Sequence, residues 1–190
     1  MKKEIEQIFQ ESIRVKEDAL KKNLSFIETA VEAVSKALNN KNKLLFFGNG
    51  GSAADSQHIA AEFIGRFQKE RRALPAIALT TDSSILTALS NDYGVVILFA
   101  RQIEGLGQKG DVAFGISTSG RSKNVIAGLK QAKKMGLVTI GLTGNDGGEV
   151  ASLSDIAIVV PSKITARIQE AHILIAHTIC ELVEKQMFQN

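Results

Sequence analysis

Along residues 1–40 apolar side chains recur at helical spacing: Ile5, Ile8, Phe9 and Ile13, then Ala19, Leu20, Leu24, Ile27, Val31 and Val34. The stretch holds no glycine or proline, so it reads as one or two long amphipathic helices. Such an arm presents more apolar surface than one small domain can cover, which predicts packing against another subunit. Beyond it the pattern changes to short, continuously apolar runs separated by helical stretches. Residues 43–47, 76–79, 111–116, 137–142 and 155–160 read as strands. Residues 52–67, 82–90, 121–135, 147–152 and 165–188 read as helices. Val95 to Ala100 is apolar enough for a strand, but Phe99, Ile103 and Leu106 keep helical spacing, so a helix is expected over 93–105. Apolar strands alternating with helices predict an α/β fold: a doubly wound, five-stranded parallel sheet flanked by helices, with a helical N-terminal arm.

A chain of 190 residues suits one domain with a substantial core. No apolar run is long enough to span a membrane, and Met1-Lys2-Lys3-Glu4 leads into mixed charge rather than a signal peptide. A cytoplasmic protein without a membrane partner is therefore expected. The single cysteine, Cys180, excludes an internal disulfide and lies among Ile179, Leu182 and Val183, which predicts a buried, inert thiol. The net charge of +3 is spread along the chain. Lys69-Glu70-Arg71-Arg72 and Lys130-Gln131-Ala132-Lys133-Lys134 read as solvated faces, without aromatic side chains to stack bases, so no nucleic-acid partner is expected.

The candidate chemistry follows the first strand. Gly48, Gly50 and Gly51 form a turn, Ser52 is placed to cap the next helix, and on that helix His58 and Glu62 are spaced i, i+4, on one face. An imidazole and a carboxylate beside an anion-binding backbone suit metal binding or proton shuttling on a phosphorylated substrate. Asp55, His58, Glu62 and Arg66 also fall on one stripe, as a solvated salt-bridge ladder would. Gly48 to Ala53 further satisfies the relaxed dinucleotide pattern G-x-G-x-x-A, which calls for an acid at the end of the second strand. The nearest acid there, Asp82, follows two threonines, so a nicotinamide site is weakly supported.

In a doubly wound sheet ligands bind at the carboxyl ends of the strands. Ser117-Thr118-Ser119-Gly120-Arg121-Ser122 follows the 111–116 strand and opens a helix, so its hydroxyls and free amides can meet one phosphate. It has no Walker lysine, which points to a phosphate monoester rather than a nucleoside triphosphate. A well-capped helix start is the plainer alternative. On the last helix Gln169 and His177 are ~80° and ~12 Å apart, which is awkward for one metal. His172 reads as structural.

Together the glycine turn with His58 and Glu62, the Ser-Thr-Ser-Gly-x-Ser loop and the Arg167-Ile168-Gln169-Glu170…His177 helix resemble the sugar isomerase (SIS) domain family, and within it the phosphoheptose isomerase family. The likeness covers nearly the whole chain. It implies one flavodoxin-like SIS domain over 1–190, with 1–40 as an oligomerisation arm, in a homotetramer with intersubunit sites. It implies that Asn49, Gly50, Gly51, Glu62 and Gln169 contact substrate, that Ser117, Thr118, Ser119 and Ser122 hold its phosphate, and that Asn91 and Asp92 hold sugar hydroxyls. It implies a zinc ion (Zn2+) on His58, Glu62, Gln169 and His177, with Glu62 as base and His177 as acid. The reaction implied is isomerisation of sedoheptulose 7-phosphate to D-glycero-D-manno-heptose 7-phosphate through an enediolate, opening bacterial heptose synthesis for lipopolysaccharide or capsule. A non-catalytic SIS-domain regulator, binding a phosphosugar or the replication initiator protein, is the alternative. Regulators of that kind lack the carboxylate and histidine that match Glu62 and His177.

Overall fold

The computed structural model describes residues 1–188. The N-terminal arm is one helix, α1 (Lys2–Asn39), about 57 Å long at 1.5 Å per residue. Then follow β1 (Leu44–Gly48), α2 (Gly51–Ile64), β2 (Ala76–Ala78) and α3 (Ser83–Tyr93). A single 3-10 turn, Val95–Ile97, leads into α4 (Leu98–Leu106). The chain continues through β3 (Val112–Ser117), α5 (Lys123–Lys134), β4 (Val138–Gly144), α6 (Gly148–Leu153), β5 (Ile156–Val160) and α7 (Thr165–Met187).

Two local expectations change. The stretch expected as a helix over 93–105 is helical rather than a strand, but it starts later, because Tyr93 closes α3 and Gly94, at φ +84°, separates the two before the chain restarts at Val95. Ser52 does not cap α2. Gly50, at φ +55°, takes the cap position, and Ser52 is buried in the first turn with its carbonyl accepting from the Ser56 hydroxyl.

All five strands are parallel, in the order β2-β1-β3-β4-β5. This is the doubly wound order in which β1 and β3 are neighbours while their connections leave in opposite directions, so a crevice opens at their carboxyl ends. Side chains alternate across the sheet. Leu44 and Phe46 join the core under α1, α2 and α7, whereas Leu45 and Phe47 join the core under α4, α5 and α6. At the opposite, amino-terminal rim, Asp111 is buried and ties β1 to β3. It accepts from the Lys43 amide (3.0 Å), the Lys43 ammonium (2.6 Å) and the Gln108 amide (2.8 Å). Burial pushes its carboxyl group up, but the bonds from Lys43 and Gln108 outweigh it and hold the group below its ordinary range.

A depressed carboxylate pKa adds stability that is full above the unfolded value and is lost as pH falls through the folded one. Urea denaturation should show the protein weakening below about pH 4, near the unfolded pKa. Asp111→Asn should flatten that acid slope and cost about 3–5 kcal/mol at neutral pH, because Lys43 loses its buried partner.

Candidate active site

The crevice at the switch point is lined by the two loops expected to carry phosphate chemistry. Asn49, in the turn after β1, exchanges two side-chain hydrogen bonds with Asn124 on α5, at 2.9 and 2.8 Å, and the Asn124 carbonyl oxygen also accepts from the Val125 amide. This reciprocal pair clips the glycine turn to the hydroxyl loop. In that loop the Ser117 hydroxyl lies 2.9 Å from Ser122 and 3.4 Å from Ser119. Ser122 is the N-cap of α5 with its side chain free of the helix amides. Three hydroxyls thus cluster at the start of a 12-residue helix, where backbone N–H groups and the helix dipole favour an anion. Thr118 lies between them, half-buried.

The second group of side chains comes from α2 and α7. His58 Nε2 lies 3.2 Å from a Glu62 carboxylate oxygen and 2.9 Å from His177 Nε2. The spacing of His58 and Glu62 therefore produces the shared face expected of it, and α7 brings His177 to the same point. The ladder stops there, since Arg66 pairs with Glu70 and one buried Asp55 oxygen has no hydrogen-bond partner among the described residues. Gln169 lies at the other end of the α2–α7 contact. Its amide sits where a Cβ on Gly51 would be, so the glycine leaves room for the Gln169 side chain in this position. Gly51 meets Gln169 and, seven residues on, His58 meets His177, so α2 and α7 run side by side in the same direction.

A buried ion pair holds them there. Arg71 and Glu184 have side chains 2% and 3% exposed, with Arg71 Nε 3.4 Å from a Glu184 oxygen. Arg71 also donates to the carbonyls of Glu62 (2.8 Å) and Phe63 (3.0 Å), satisfying the C-terminal end of α2. Glu184 accepts the amides of Gln68 and Lys69 at 2.9 and 2.7 Å. The cluster Lys69-Glu70-Arg71-Arg72 is thus not simply a solvated face. Arg71 turns inward because the last carbonyls of α2 and a buried carboxylate on α7 both need a cation.

The other candidates divide. Asn91 and Asp92 are exposed at the end of α3 and bonded to each other. Asp82 caps α3 through the Ile85 amide, a structural task. His172 is fully buried and donates from Nε2 to the Thr143 carbonyl, and burial holds its pKa down at about 4, so it is a neutral core residue. Burial likewise pushes the Cys180 thiol up to about 12, which removes it as a nucleophile.

The trio suits a cation. One His58 Nε2–H cannot serve both Glu62 and His177 fully, whereas a metal ion accepts a lone pair from each. The three donor atoms lie within 4.8 Å of one another. Tetrahedral zinc with bonds of about 2.0–2.2 Å places neighbouring ligand atoms ~3.3–3.5 Å apart, and two imidazoles with a carboxylate are a recurrent catalytic zinc set. The residues therefore fit a zinc ion, with the Gln169 amide outside the converging group.

Residues 7–144 match the SIS domain family. The chain belongs to the SIS-domain family. The phosphoheptose isomerase of Aquifex aeolicus is 54% identical over 187 residues, covering 98% of both chains. That of Nitratiruptor sp. is 60% identical over 159 residues, covering 84% of this chain and 85% of its own. The solved phosphoheptose isomerase of Neisseria gonorrhoeae superposes with a TM-score of 0.92 at 45% identity, over 97% of this chain and 98% of that one. Within the SIS-domain family these full-length relatives place the chain among the phosphoheptose isomerases, a family of enzymes. No described helix is long and apolar enough to cross a membrane.

Gly51→Ala tests the helix contact. The atom displaced is the free end of a glutamine, so the fold should survive with a melting temperature close to that of the parent. The Gln169 amide must move, however, and affinity for the phosphorylated sugar should drop several-fold in steady-state kinetics.

Proposed function

We propose that the protein converts sedoheptulose 7-phosphate to D-glycero-D-manno-heptose 7-phosphate, supplying heptose for a bacterial lipopolysaccharide or capsule. The observation that carries this reading is the convergence of Glu62, His58 and His177, with His58 Nε2 3.2 Å from Glu62 and 2.9 Å from His177, in a chain whose hydroxyl loop suits a phosphate monoester. A regulator that only binds a sugar phosphate has no chemical need for that carboxylate and imidazole.

Ketose-to-aldose conversion moves a proton from C1 to C2 and a second proton from the C1 hydroxyl to the C2 oxygen, through an enediolate. Glu62 removes the C1 proton and returns it at C2. His177 moves the proton between the two oxygens, and its ring is held in place by His58 at 2.9 Å and by Phe67, whose ring centroid is 5.4 Å away. Ser117, Thr118, Ser119 and Ser122 hold the phosphate, and Asn49, Gly50, Gly51 and Gln169 line the path of the sugar between loop and trio. Asn91 and Asp92 bind sugar hydroxyls. A zinc ion held by His58, Glu62 and His177 would polarise the sugar carbonyl and stabilise negative charge on its oxygen. Gln169 joins that ion only if its amide leaves Gly51.

The active form is a homotetramer with sites between subunits. Supporting this, α1 leaves Ile5, Ile8, Phe9, Ile13, Leu20 and Leu24 about half-exposed or more. An apolar groove of about 750 Å³ also runs between α1 and α7, past Leu24, Leu174 and Leu182. Sedimentation at micromolar concentration should give a tetramer, and a stable monomer would remove this part of the proposal.

Incubation with sedoheptulose 7-phosphate, followed by NMR with and without a chelator, tests the activity. Glu62→Gln keeps the shape of the side chain and removes the base. Turnover should fall ~10²–10⁴-fold with substrate affinity nearly unchanged. Near-normal isomerisation by a well-folded Glu62→Gln protein sinks the mechanism, and no turnover by the parent on any sugar phosphate favours the regulator. Ser122→Ala should weaken substrate binding roughly ten- to a hundredfold through loss of a charge-assisted hydrogen bond.

A further inference from the structure

The hydroxyl loop after β3 is fastened on its outer side to the turn after β4. Gly120 has φ +66° and lies so close that a Cβ there would strike the Gly147 carbonyl. The Val150 amide donates to the Gly120 carbonyl at 3.0 Å, so the two loops meet backbone to backbone. Across this seam lies Arg121. Its Nη1 donates to the Ser119 carbonyl (3.1 Å) and to Asp146 Oδ1 (2.8 Å), and its Nη2 donates to Asp146 Oδ2 (2.6 Å). Asp146 Oδ1 also accepts from the Gly148 amide at 3.2 Å, and the Arg121 amide donates to the Ser119 hydroxyl at 3.2 Å. Arg121 therefore grips the middle of the loop at one end and the neighbouring turn at the other.

We propose that Arg121 and Asp146 form a brace that pre-sets the Ser117–Ser122 loop, with Arg121 a positioning residue for phosphate binding and Asp146 its anchor. The proposal rests on the reading of this loop as the phosphate cradle. An exposed ion pair is weak as a source of stability. The pair is also neutral as a whole, so it acts on the loop through shape more than through field. Its value lies in a planar fork that fixes three acceptors at once, which a lysine cannot reproduce. A loop already ordered does not have to be ordered by the ligand, and the difference appears as affinity.

The test measures the Kd of inorganic phosphate by calorimetry, and KM and kcat on sedoheptulose 7-phosphate. The proteins compared are the parent, Arg121→Gln, Arg121→Lys, Asp146→Asn and the double variant Arg121→Gln/Asp146→Asn, each with a thermal melt. Each single variant should raise phosphate Kd and sugar KM about three- to tenfold. Turnover and melting temperature should stay close to the parent's. Lysine should not restore affinity, and the double variant should be no worse than the poorer single one, since both remove one brace. Restored affinity in Arg121→Lys, or tighter phosphate binding in Asp146→Asn, would identify a free point charge and overturn the brace. So would an unchanged Kd in Arg121→Gln. A parent that binds no phosphate, or a Kd unmoved by Ser122→Ala, would remove the cradle itself, a separate failure.

Discussion

The buried pair of Arg71 with Glu184 is the contact on which the arrangement of α2 against α7 depends. Neither helix alone brings an imidazole to a carboxylate and a second imidazole. The trio exists because the carboxyl end of α2 is held against the carboxyl half of α7. Arg71 satisfies carbonyls that the end of α2 leaves open, including that of Glu62 itself, and Glu184 satisfies two amides of the segment that follows. Each partner is thus hydrogen-bonded to backbone while its charge lies 3.4 Å from the other, and those backbone bonds help a desolvated ion pair to be tolerated. At the amino end of α2 the contact is lighter, where Gly51 leaves room for the Gln169 amide of α7.

What the sequence made legible is what depends on spacing along the chain. Continuous apolar runs such as Leu44 to Phe47 mark strands buried on both faces, and the unbroken helical period of residues 5–34 marks a helix that is single in the structure. The i, i+4 relation of His58 and Glu62 and the density of hydroxyls after Ile116 are local too. The strand order is not legible in the alternation itself, since right-handed crossovers permit more than one doubly wound order, and only the family resemblance points to the flavodoxin-like one. The helix expected over 93–105 is present, but its start is displaced by Gly94, whose left-handed backbone the apolar period cannot register.

The illegible part is whatever two distant segments do to each other. Nothing near Arg71 in the chain says that it faces inward, since its carboxylate is on α7. Asn124 is an ordinary helix residue until Asn49 is seen to reach it across the switch point. The separation of Gln169 from His177 along one helix, awkward for one metal, does leave Gln169 outside the trio. It is also the length over which α7 accompanies α2, with Gln169 at the glycine turn and His177 at the trio. The contact of Gly120 with Gly147 is of the same kind, because a glycine pressed against a neighbouring loop looks like any turn glycine in one dimension.

Helix α7 carries different tasks on most of its surface. Ile168, Ile175 and Ile179 fill the core beneath the sheet, Gln169 and His177 face α2, and Leu174 and Leu182 border the apolar groove beside α1. Glu184, near its end, closes the ion pair with Arg71. A substitution at any of these positions therefore meets a packing, chemical or surface constraint specific to its face. Divergence among proteins of this build should accumulate least on α7 and most on α6 and the outer surface of α5.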